Sequence, residues 1–208
     1  MGSTSSMGSK SWSEVPVASK EDPFRILRAE SKPLFAVLDA ARNAGIPRML
    51  RESGERYSSL LNGRRADHLG SAAPYLVAID RRDETLPRLL RGWGRSWGIF
   101  VVSEKPMEEL RRHFRRMWLV RVEGRTLYFR FYDPRVLRKC VRACSPGEAA
   151  SLLGPADGYV LEGEHGGSLL RLGAGSARAS HPEATIDRLP RLLERCFGLS
   201  EPRLVLRG

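Results

Sequence analysis

Lysine is almost missing from this 208-residue chain: Lys10, Lys20, Lys32, Lys105 and Lys139 are the only lysines among 35 basic residues, and the rest are arginines. Cysteine is scarce as well. Cys140, Cys144 and Cys196 make an odd set of three, which fits a reducing compartment and excludes a disulfide framework. No His or further Cys lies near the Cys140 and Cys144 pair in sequence, so no metal site is expected. Long apolar runs are absent too: none approaches the roughly eighteen residues of a membrane span. The opening twenty residues, rich in Ser, Gly and Lys, lack the apolar stretch of a secretory signal. These absences predict a soluble, cytoplasmic protein without a membrane partner, in which residues 1–23 form a disordered leader.

Catalytic signatures are missing in the same way. There is no G-x-S-x-G, no Walker-type phosphate loop and no H-E-x-x-H. The four histidines have no Ser or Cys partner at a recognised spacing: His68 lies in a loop, His113 on an Arg-rich helix side, His165 in a Gly-rich turn and His181 before a proline. Gly92-Trp93-Gly94 precedes a strand, whereas a dinucleotide fingerprint opens a helix after one. No cofactor and no enzymatic activity are therefore expected.

What the chain does have is charge and alternation. The net charge of +11 attracts polyanions or acidic proteins, although codon bias toward Arg explains such an excess equally well. Leu34–Leu38, Tyr75–Ile79 and Trp97–Val102 are short apolar runs, and helix-like segments follow each of them. Pro47 stands in a first turn, Leu86, Leu89 and Leu90 share a side before Gly92, and Met107–Trp118 carries Leu110, Phe114, Met117 and Trp118 on one face. This order predicts an α/β domain whose sheet is partly parallel, with flanking helices. Trp118–Val122 and Thr126–Tyr132 then flank a short turn, as in an antiparallel hairpin. Asp133-Pro134 caps a helix, and Ser145-Pro146-Gly147-Glu148 is a capping box. Residues 24–158 are expected to form this domain. Residues 159–208 are expected to form a smaller C-terminal lobe, with two short strands and a last helix from Ser180 that Pro190 kinks or splits.

Two chemical alternatives are open from the residues alone. Asp39 and Asp80 each end an apolar run, where α/β sheets place ligands, so the pair is a candidate for hydrolytic chemistry; capping or pairing with arginine is the structural alternative. Arg111-Arg112-His113-Phe114-Arg115-Arg116 is a candidate nucleic-acid face. Against it, helical spacing puts Phe114 and Trp118 with Leu110 on the buried side.

Five stretches, in order, carry a resemblance: Leu34–Arg42, Ala73–Val77, Gly94–Phe100, Leu110–Phe114 and Phe129–Leu137. Together they resemble the domain-of-unknown-function adaptors, or effector chaperones, of bacterial type VI secretion, over roughly residues 33–158. The resemblance implies a protein that is not an enzyme. It implies that the chain binds a cognate effector, often near that effector's N-terminal region or linker, and delivers it to the VgrG spike protein; a nucleic-acid-binding module is the alternative reading, and nucleic acid is not the expected partner. The five stretches hold the candidate partner-binding or motif residues Arg95, Ser96, Trp97, Arg130, Tyr132, Asp133 and Arg135, and Trp93 beside them is a further candidate. Asp133 is expected to cap its helix while accepting from Arg95 or Arg130. Trp97 is expected to face the core, and Trp93 to stand exposed as an interface anchor.

Overall fold

The computed structural model describes residues 12–19, 21–61, 72–82, 84–122, 125–173 and 188–197. His68, His181 and the expected helix start at Ser180 lie outside them. In chain order the strands are β1 (Trp12–Pro16), β2 (Leu34–Asp39), β3 (Tyr57–Ser59), β4 (Pro74–Ile79), β5 (Gly98–Val102), β6 (Leu119–Val122), β7 (Arg125–Tyr128), β8 (Gly158–Glu162) and β9 (Ser168–Gly173). The helices are α1 (Glu21–Arg28), α2 (Ile46–Ser53), α3 (Thr85–Leu90), α4 (Met107–Met117), α5 (Pro134–Ala143), α6 (Pro146–Leu153) and α7 (Leu189–Phe197).

Seven strands form one sheet in the order β1-β9-β8-β5-β2-β4-β3, and β6 pairs with β7 apart from it. The partly parallel sheet expected from the sequence is corrected here. Every described pairing is antiparallel, including both neighbours of β2. The physical reason lies in the crossovers. The helical connections from β2 to β3 and from β4 to β5 do return the chain in the same direction, but each skips a strand. The intervening neighbour runs the other way, so strands that share a direction never touch. The continuous apolar runs misled for a related reason: this antiparallel sheet is covered on both faces, the condition that gives parallel strands their unbroken hydrophobicity.

Alternation along β2 divides the two cores. Leu34, Ala36 and Leu38 join Val77, Phe100, Leu27, Ile46, Leu50, Leu86 and Leu89 beneath α1, α2 and α3. Phe35 and Val37 join Ile99, Val101, Leu110, Phe114, Phe131, Leu137, Leu152 and Leu192 beneath α4 to α7 and the β6-β7 hairpin. Phe114 and Phe131 stack at 5.1 Å between ring centroids. The sheet runs on past residue 158, since β8 pairs with β5 and β9 extends it to β1. Thus β1 and the start of α1 fall within the first 23 residues. Pro190 sits in the first turn of α7 rather than splitting it, where a proline's missing N–H costs nothing.

His113 does not face solvent with the arginines. It is buried, with Nε2 3.2 Å from the Leu152 carbonyl. Gly154, in the left-handed region at φ +53°, makes room: a Cβ there would lie 2.3 Å from the ring. Burial pushes the imidazole down to about 4. The unfolded chain takes up this proton near 6.5 while the native protein refuses it, so stability falls as pH drops through that window. The expected loss is about 2 kcal/mol between pH 7 and pH 5. His113→Gln, which keeps a donor and does not titrate, should remove that component in paired urea titrations; an unchanged pH slope would refute it.

Candidate functional site

The directions of the strands bring the motif residues to one end of the sheet. β2 and β8 both run opposite to β5, so their last residues, Asp39 and Glu162, share an edge with the loop that enters β5. Asp80 follows β4 at the other end. Because Leu34 faces Ile79 and Asp39 faces Pro74, about 17 Å of strand separates the two aspartates. Asp80 is exposed, and its carboxylate accepts from the Arg82 backbone at 2.9 Å. The two aspartates cannot act on one substrate.

Asp39 instead anchors a buried ion-pair network. Its carboxylate accepts from Arg130 Nη2 at 2.5 Å and from the Ala41 backbone at 3.1 Å. Arg130 also lies 3.8 Å from Asp133, and its guanidinium carbon stands 6.0 Å from the Tyr132 ring centroid. Asp133 caps α5 by accepting the Arg135 N–H at 3.0 Å, and takes the Arg135 side-chain fork at 3.0 and 2.6 Å. Asp39, Tyr132 and Asp133 are all buried. Burial pushes the Asp39 carboxyl up, and the Arg130 guanidinium pulls against it. Arg95, the other expected partner of Asp133, is exposed and belongs to the loop. The Phe129–Leu137 motif therefore bolts the hairpin-to-α5 junction onto the end of β2.

A second carboxylate holds the loop itself. Glu162 is 4 % exposed and accepts from Gly94 N–H at 2.6 Å, from Ser96 N–H at 2.7 Å and from the Ser96 hydroxyl at 3.1 Å. Gly94 and Ser96 adopt φ +83° and +57°, which turns both N–H groups inward as an anion-holding nest. Burial pushes the Glu162 carboxyl up while these N–H groups oppose it. Arg138 donates to the Glu162 and Gly163 carbonyls, each at 3.0 Å. Trp93 is half-buried and donates its indole N–H to the Gly166 carbonyl at 3.0 Å. Trp97 lies over Gly92, whose Cβ, if present, would meet the indole at 2.1 Å, and its carbonyl accepts from the Asp39 N–H at 2.7 Å.

Sequence reasoning found one half of this arrangement and missed Glu162 and Arg138. The missed signal is an acid closing an apolar strand, Tyr159-Val160-Leu161-Glu162, the same pattern that drew attention to Asp39. The Arg111–Arg116 segment offers no stacking ring, because Phe114 and Trp118 are buried and Arg111 reaches back to the Ser59 carbonyl at 3.1 Å.

Most of these groups lie in the part of the chain that matches a known family; Glu162, Gly163 and Gly166 do not. The model of the family described as Domain of unknown function (DUF4123) matches residues 34–151, more than half of the chain. The chain belongs to this family. No curated protein and no solved structure matches it. The match contains the nest loop, Asp39 and the whole Arg130–Arg135 network, while Glu162, which the DUF4123 loop grips, lies beyond its end. No helix among the described residues is long and apolar enough to cross a membrane.

Proposed function

We propose that this DUF4123 chain is a cytoplasmic type VI secretion adaptor that holds one effector protein and helps load it onto the VgrG spike. The observation that carries this reading is the family match across residues 34–151, within which five ordered stretches resemble effector adaptors. The use to which the motif residues are put supports it. Arg130 pairs with Asp39 and Asp133, and Ser96 with Glu162, inside the protein, so the site reads as a rigid frame that fixes a loop and a helix start for another polypeptide. Tagged chain purified from its native host should retain one effector in stoichiometric amount. Deletion of its gene should lower secretion of that effector at least tenfold while other effectors still leave the cell. Undiminished secretion of every effector would sink the proposal.

A further inference from the structure

On the α2/α3 side of the clamped loop the surface opens into a notch of about 380 Å³ lined by Met49, Glu84, Arg88, Arg91 and Trp97. Its floor is apolar, from the half-exposed Met49 and the half-exposed indole of Trp97. Its rim is basic. Arg88 and Arg91 form no ion pair with a described residue, and neither do the nearby Arg42 and Arg95. Arg42 is laid along the loop by its bond to the Arg95 carbonyl at 3.4 Å. Glu84 is the one acid in the lining.

We propose that this notch takes an acidic segment of the bound protein, one of whose apolar side chains seats on Trp97 while its carboxylates meet Arg88 and Arg91. The proposal rests on the adaptor reading for the identity of the bound protein, and on the notch alone for its chemistry. Arginine forks suit carboxylates in a bidentate geometry, and Trp and Arg, with Tyr, are the residues enriched among interface hot spots. A nucleic acid fits less well. A phosphodiester brings negative charge to Arg88 and Arg91 but nothing apolar to Met49. The loop is also pre-ordered by Glu162 and Gly166, so little ordering cost falls on binding.

The test uses the full chain and fluorescence anisotropy at low salt with three labelled probes. These are a short Asp/Glu-rich peptide with a central Leu, the same peptide with Ser in place of Leu, and a single-stranded oligonucleotide. The Leu peptide should bind tightest. The variant Arg88→Glu/Arg91→Glu, confirmed as folded by circular dichroism, should weaken it at least tenfold. Absence of peptide binding, unchanged binding by the variant, or tighter binding of the oligonucleotide would each overturn the inference. An effector that co-purifies equally with wild type and variant would overturn the notch and leave the adaptor reading standing. Peptide binding that the variant loses, without any effector on the wild-type chain, would uphold the notch and remove the adaptor.

Discussion

Arg130→Met should destabilise the protein by about 3–5 kcal/mol, the usual consequence of removing one partner from a buried ion pair. The reason is what remains behind. Asp39 and Asp133 are each 1 % exposed, and both face the Arg130 guanidinium, at 2.5 and 3.8 Å. Without it, Asp39 keeps a single backbone donor, from Ala41, and must either hold an uncompensated charge or take up a proton. Asp133 keeps the Arg135 fork and suffers less. Asp39→Asn should therefore rescue part of the loss when combined with Arg130→Met, because an amide is far cheaper to bury than a carboxylate. Urea midpoints at pH 7 for the two single variants and the double variant give the coupling directly. Strictly additive losses would mean that the pair contributes nothing beyond its separate side chains.

Much of this arrangement was legible in the residues, and the failures have identifiable causes. Asp133-Pro134 and Ser145-Pro146-Gly147-Glu148 predicted helix starts that the structure contains atom for atom, with the capping box closed in both directions. Caps are local, so spacing suffices to read them. Strand pairing is not local. The runs at Leu34, Tyr75 and Gly98 are all strands, yet nothing within them records that β2 inserts between β4 and β5. His113 was misread for a third reason. Leu110 stands three residues before it and Met117 four after, so it lies on the apolar stripe, which is wide enough to take in a flanking position; the neighbouring arginines drew attention to the wrong side. Glu162 escaped because its partners are backbone N–H groups 66 and 68 residues away, and a backbone donor carries no signature in sequence.

That last contact sets the second large effect. Glu162→Ala should cost about 3 kcal/mol, since it strands the buried Ser96 N–H and the part-buried Gly94 N–H, at roughly 1–3 kcal/mol for a buried orphan. Ser96 is the vulnerable residue: it holds φ +57° without being glycine, a conformation that costs about 1 kcal/mol or more and persists only while its surroundings impose it. With the carboxylate gone, residues 93–97 should relax toward ordinary backbone angles. Trp97 should then leave its seat on Gly92, and Trp93 its bond to Gly166. Glu162→Gln separates the charge from the contact. Its one carbonyl oxygen can still serve Ser96, while its amide nitrogen meets the Gly94 N–H donor to donor, so its loss should fall between wild type and Glu162→Ala. Tryptophan emission should shift to the red in the order wild type, Gln, Ala, with trypsin cutting after Arg95 fastest in the Ala variant. If the Ala variant keeps wild-type emission and resistance at Arg95, the loop is held by its tryptophans alone, and Glu162 is only a passenger at the end of β8.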